Sequence, residues 1–135
     1  MSDFAAKRRG KLRLGKRGEQ LARRLLELKG FTPLVGNWRH PAGEIDLICL
    51  DGRELVFVEV KTRRYRSDLA RYSNLSNRQQ RRIRQSGRQY LRQLNLPELT
   101  GRFDVVEIVL AAGSNRLLDI RHRVNCQLRL YPGTY

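Results

Sequence analysis

Residues 43–64 read GEIDLICLDGRELVFVEVKTRR, and the fold follows from how this stretch is divided. Asp51-Gly52 separates two apolar runs, a strong hairpin signal between strands over 43–50 and 55–63. In the second run Leu55, Phe57, Glu59 and Lys61 share one face while Val56, Val58 and Val60 share the other. Both faces are mostly apolar, so the strand belongs in the interior of a sheet. A lone carboxylate there costs on the order of several kcal/mol unless it is paired, hydrogen-bonded or bound to a metal. Glu59 therefore needs a reason to be where it is, and so does Asp46 between Ile45 and Leu47.

The flanking sequence supplies the rest of the sheet and its cover. Leu21, Ala22, Leu25, Leu26 and Leu28 recur at helical spacing over 15–30, with Gly30 as a stop. Residues 31–38 (FTPLVGNW), broken by Pro33 and Gly36, suit an edge strand. After a polar loop over 64–77, a helix over 77–94 has Ile83, Gly87, Tyr90, Leu91 and Leu94 on one face and Arg81, Arg84, Arg88 and Arg92 on the other. Strands follow over 103–110 and 117–123. The order α-β-β-β-α-β-β describes an α/β sandwich, a mixed sheet with flanking helices.

A chain of 135 residues, 40% hydrophobic, is sized for one domain with one core. The expected organisation is a flexible basic arm over 1–14, carrying Lys7, Arg8, Arg9, Lys11 and Arg13, ahead of a single domain over 15–135. With 28 Lys and Arg against 13 Asp and Glu, the net charge is +15. A polyanion is the natural partner for such a surface, and nucleic acid is the commonest one, because each neutralised phosphate releases counterions. Neither a membrane-spanning run nor the apolar core of a signal peptide is present, so a cytoplasmic protein is expected. Cys49 and Cys126 lack metal or redox spacing and read as reduced packing residues. His40 and His122 read as surface or hydrogen-bonded side chains rather than zinc ligands.

The two acids belong together. If Leu50 pairs with Leu55 around a four-residue loop, Asp46 lies opposite Glu59; a two-residue loop makes them diagonal neighbours. Either register puts Glu44, Asp46 and Ile48 on the face of Glu59, with the two acidic Cβ atoms roughly 4.5–8 Å apart. A divalent cation converts the repulsion of two such carboxylates into binding, and magnesium takes carboxylate oxygens. Lys61 is about 7 Å further along the same face, in reach of a phosphodiester held by that cation. Glu19 borders the apolar face of the first helix beside Ala22 and Leu26, and points toward the sheet. Taken singly, each charge has a plain structural explanation, such as a Glu59–Lys61 pair at a strand end. Their convergence on one hairpin favours phosphodiester hydrolysis.

The pattern Asp46…Glu59-Val60-Lys61 resembles the PD-(D/E)XK nuclease superfamily. The wider string GKRGEQLA, GEIDLI, LVFVEVKTRR and GRFDVVEI, in that order, is similar to the YraN-like family of small uncharacterised bacterial proteins. The resemblance covers about residues 15–130. It implies a restriction-endonuclease-like core close to that of archaeal Holliday-junction resolvases. Asp46, Glu59 and the Val60 backbone carbonyl would then be ligands of Mg2+ or Mn2+, Lys61 the catalytic lysine and Glu19 the helix-borne acid. Two positions depart from the pattern: Ile45 stands where the superfamily name has proline, and Gln79 where relatives often carry lysine.

The arginine stripe Arg81, Arg84, Arg88 and Arg92, with Arg63, Arg64 and Arg66 after the catalytic strand, is expected to contact phosphates without reading sequence. Trp38, Tyr65 and Tyr72 are candidates to stack on unpaired bases. The expectation is thus an endonuclease for branched, flapped or single-stranded DNA, with DNA preferred over RNA. Junction resolution would require a homodimer, although no segment marks an interface. The alternatives are a non-catalytic nucleic-acid-binding protein that retains the fold and a ribosome-associated RNA-binding protein. The latter gives no reason for acid inside the sheet.

Overall fold

The computed structural model describes residues 3–41, 43–66, 76–96 and 98–130, without the side chains of residues 3, 4, 11, 12 and 125–130. Tyr72, most of the loop over 64–77 and the Cys126 side chain lie outside this set. Seven elements follow in the order α1 (Asp3–Leu28), β1 (Thr32–His40), β2 (Gly43–Asp51), β3 (Glu54–Arg64), α2 (Asn77–Leu94), β4 (Thr100–Leu110) and β5 (Leu117–Leu130). This is the α-β-β-β-α-β-β order expected. The strands form one sheet, β1-β2-β3-β4-β5, with β1 at an edge. All neighbouring strands pair antiparallel except β3 and β4, and that parallel pair needs the long crossover that α2 provides.

The sheet carries a core on each face. Ala22 and Leu26 of α1 pack on Leu47, Cys49, Val56, Val58, Val106 and Ile108. Ile83 and Leu91 of α2 pack on Ile45, Ile48, Leu55, Phe57, Phe103 and Val105 on the other face. The hairpin turns at Gly52, whose φ of 62° lies in the left-handed region, and pairs Leu50 with Leu55. Of the two registers considered, this is the one that puts Asp46 level with Glu59, but Asp51 also pairs with Glu54, so the loop is the two residues Gly52 and Arg53 and not the four expected.

Both helices end as their sequences demand. Gly30, at φ 91°, closes α1 in a Schellman motif, with Phe31 N–H donating to the Leu26 carbonyl and Gly30 N–H to that of Glu27. Ser76 and Gln79 form a capping box at the start of α2.

Three boundaries differ from expectation. Helix α1 starts at Asp3, so the segment read as a flexible arm continues the helix. Its Ala, Leu, Lys and Arg residues lose little side-chain freedom in a helix, and Gly10 and Gly15, at about 1 kcal/mol each, do not interrupt it. Strand β4 begins at Thr100 and β5 runs on to Leu130. At the start of β4 the charge of Arg102 is met by Asp51 and Glu54 across the sheet.

Gly18 sets the approach of α1 to the sheet. A Cβ there would lie 1.7 Å from Oγ1 of Thr62 and 2.7 Å from its Cβ. In a free helix Gly→Ala gains about 1 kcal/mol, but here the overlap decides the sign. Gly18→Ala should lower the unfolding free energy by about 1–3 kcal/mol in denaturant melts, and Thr62→Ala in the same chain should recover part of the loss. A stabilised Gly18→Ala protein would contradict this packing.

Candidate active site

The β2–β3 ladder stops at Leu47↔Val58. Its neighbours continue, β1–β2 as far as His40↔Gly43 and β3–β4 as far as Arg64↔Leu110. The sheet therefore opens between β2 and β3 in its middle. Side-chain alternation fails at the same level. Ile45 and Ile48, three residues apart, both pack into the α2-side core, as do Val35 and Trp38 on β1. The irregularity centres on Asn37, which has φ 50°, and on Asp46 across from it. Asp46 is thereby turned toward β3, where its Oδ2 accepts the Val60 N–H at 2.8 Å. The sequence had placed Asp46 on one face with Ile48; it lies instead in the opening itself.

The carboxylates converge there. Burial, repulsion by Glu59 and, more weakly, repulsion by Glu19 push the Asp46 carboxyl up to about 7, against the lowering effect of the Val60 amide. Lys61 Nζ lies 3.2 Å from Glu59 Oε1. Glu19 is half-buried on α1 and accepts a hydrogen bond from Asn37 Nδ2 at 3.1 Å. In a strand the N–H and C=O of one residue point to the same side, so the Val60 carbonyl faces the opening that its N–H enters. Among the described residues no three His, Cys, Asp or Glu side chains form a ready metal cage. Two carboxylates and a carbonyl fit a cation such as Mg2+ that completes its shell with water and phosphate. Asp46, Glu59 and Val60 would hold it.

The opening has a mouth on each face of the sheet. Lys16, Glu19, Gln20 and Arg23 of α1 line one with Asp46 and Asn37. Gln79, Arg82 and Ile83 of α2 line the other with Asp46, Glu59 and Glu44. Sequence reasoning missed Lys16, Arg23 and Arg82. Arg82 lies outside the single-signed stripe that drew attention, and the helix N-terminus beside the acids was the available signal. Gln79 uses its side chain in the cap, its Oε1 accepting the Ser76 N–H at 3.0 Å.

The proposed phosphate contacts divide. Arg81 and Arg92 are exposed on α2, while Arg84 and Arg88 are half-buried. Arg63 is half-buried and Arg66 exposed. Arg64 is committed elsewhere: it donates to the carbonyls of Ala111 and Ser114, at 3.2 and 2.6 Å, and holds the β4–β5 turn. Trp38 packs edge-on against Tyr90 at 5.4 Å in the α2-side core and stacks on His40; Tyr65 is exposed.

A second charged cluster, absent from the sequence reading, lies toward the turn end of the hairpin. Buried Asp104 accepts from Arg102 Nε at 3.1 Å and from His122 Nε2 at 2.7 Å. Lys29 Nζ, a donor only, lies 2.9 Å from His122 Nδ1, which fixes the proton on Nε2. Arg102 also reaches Asp51 and Glu54. These pairs hold the Asp104 carboxyl below its usual range against burial and tie α1, the hairpin, β4 and β5 together.

The sequence matches the uncharacterised protein family UPF0102 over residues 18–108. The chain belongs to this family. It is similar to UPF0102 proteins of Chlorobium limicola, 38% identical over 83% of this chain and 89% of the relative, and of Desulfosudis oleivorans, 40% identical over 84% and 91%. A UPF0102 protein of Symbiobacterium thermophilum is 43% identical over 71% of this chain and 81% of its own length. The matched segment runs from Gly18 to Ile108 and so contains Glu19, Asp46, Glu59, Val60 and Lys61.

The state of Asp46 predicts a pH dependence. Folded Asp46 keeps its proton up to about pH 7, whereas the ordinary value is 3.8. The native state thus binds the extra proton between these values, and stability falls as pH rises through that window. Asp46→Asn removes both titration and repulsion. In EDTA the variant should be more stable than wild type at pH 8, by roughly 1–3 kcal/mol, with the difference closing toward pH 4. Greater wild-type stability at pH 8 would contradict the assignment.

Proposed function

We propose that this UPF0102 protein is a magnesium- or manganese-dependent endonuclease that hydrolyses phosphodiester bonds in structured or single-stranded DNA. The observation that carries the reading is the pair Asp46 and Glu59 in one opening of the sheet, with Lys61 beside Glu59. The bound cation would lower the pKa of a water and offset the charge of the transition state. The chain's own residues do the rest. The Val60 amide fixes the Asp46 carboxylate, and Glu59 orients the Lys61 ammonium, which is suited to a non-bridging phosphate oxygen. Arg82 and the N-terminal end of α2 favour an anion at the α2-side mouth. Arginines on phosphates position a substrate without reading its bases, which supports recognition of DNA shape over sequence. Such a substrate and the charge of +15 suit a cytoplasmic protein.

A non-catalytic nucleic-acid-binding role is the second reading, and the absence of a three-ligand cluster among the described residues favours it. A cleavage gel separates the two. Labelled duplex, single-stranded, flap and four-way-junction DNA are incubated with wild type and Glu59→Gln in Mg2+, Mn2+ or EDTA. The nuclease reading predicts metal-dependent cutting by wild type, reduced about 10²–10³-fold in the variant. Binding of DNA by both proteins without any cutting would support the second reading.

A further inference from the structure

The mouth on the α1 side continues along the helix. Arg9, Arg13, Lys16, Gln20 and Arg23 follow one another at intervals of four, three, four and three residues, which places them in a single line on α1. All five are exposed. The last three line the mouth beside Asp46, and the first two carry the line outward from it, past Leu14, which packs on the core. From Arg9 to Arg23 the row spans roughly 21 Å at 1.5 Å per residue, about six steps of a nucleic-acid strand at 3.4 Å each.

The charge of this half of the helix is one-sided. No acid occurs between Asp3 and Glu19, so the sequence supplies cations without interleaved acids along this half of the helix. Arg23 pairs with Glu27 at 3.4 Å, exposed on both sides; such a surface pair is worth little and leaves the guanidinium available.

We propose that this row is a phosphate-binding rail for the flank of a nucleic-acid duplex whose scissile region enters the Asp46 opening. The proposal rests on the reading that the opening accepts a phosphodiester substrate. A duplex is favoured over an anionic membrane because the row leads into a crevice, where a strand can follow and a lipid surface cannot. The rail also gives α1 a reason to extend beyond the core it covers.

The test measures binding in EDTA, so it stands whether or not the protein cuts. Fluorescence anisotropy of a labelled 24-base-pair duplex compares Arg9→Gln/Arg13→Gln, on the row, with Lys7→Gln/Arg8→Gln, off it. Each pair removes the same charge, and Gln preserves helix propensity; circular dichroism confirms equal helicity. Loss of two phosphate contacts predicts at least about tenfold weaker binding for the row variant at 150 mM salt and a salt slope reduced by about 2. The off-row variant should change affinity by less than about threefold. Equal losses in both variants would reduce the effect to net charge and overturn the rail, as would an unchanged row variant. So would a row variant that keeps duplex binding but loses binding to phosphatidylserine vesicles. A duplex shortened to about six base pairs should bind both variants more nearly alike.

Discussion

A backbone N–H inside a sheet must find an acceptor, and at Val60 the strand that should provide one has turned away. Asp46 supplies it from a side chain. This single substitution of carboxylate for carbonyl lets β2 leave β3 without an orphaned amide. It also fixes an acid in the gap that the departure creates. Glu59 then faces that acid, Lys61 is drawn to Glu59, and the Val60 carbonyl is left aimed into the same space. The irregularity in β1 at Asn37 belongs to the same adjustment, and through its side chain it brings Glu19 of α1 to the edge of the opening.

Such an opening weakens the sheet, and the rest of the molecule is built to hold it. The ladder between β3 and β4 runs the full length of both strands. Gly18 lets α1 lie close against Thr62, beside the gap. Toward the turn end of the hairpin, Arg102 links Asp51, Glu54 and Asp104, and His122 links Asp104 to Lys29, just past the end of α1. Buried charges of this kind are costly to desolvate and often contribute little net stability. Here they join four elements in one register, which keeps the two halves of the sheet aligned while their middle separates. The burial and crowding that push the Asp46 carboxyl up to about 7 are the local cost of the arrangement, and a cation between the acids would relieve it.

The fold was legible because alternation in residues 55–63 and the Asp51-Gly52 turn leave little freedom to the hairpin. The acids were legible because they interrupt runs that are otherwise apolar. Register was open between two values, and only tertiary packing chose Leu50 opposite Leu55. The break in alternation at Asp46 left no trace in a sequence whose apolar spacing is satisfied by a regular strand. The full length of α1 was misjudged because its first half lacks an apolar face, the feature by which an amphipathic helix is recognised. The expected strands over 103–110 and 117–123 fell short of β4 at its start and of β5 at its end. Arg102 is met by Asp51 and Glu54, which are distant in sequence, and by Asp104 two residues along its own strand. Arg82 was hidden by the more regular stripe beside it.

The central claim is that strand divergence at Asp46 builds a divalent-cation site. Its most direct test is the anomalous scattering of a crystal grown with MnCl2 and measured above the manganese edge. The account predicts a peak in the opening, with Asp46, Glu59 and the Val60 carbonyl oxygen each at about 2.0–2.3 Å. Ordered manganese elsewhere on the molecule, with none between Asp46 and Glu59, would contradict it.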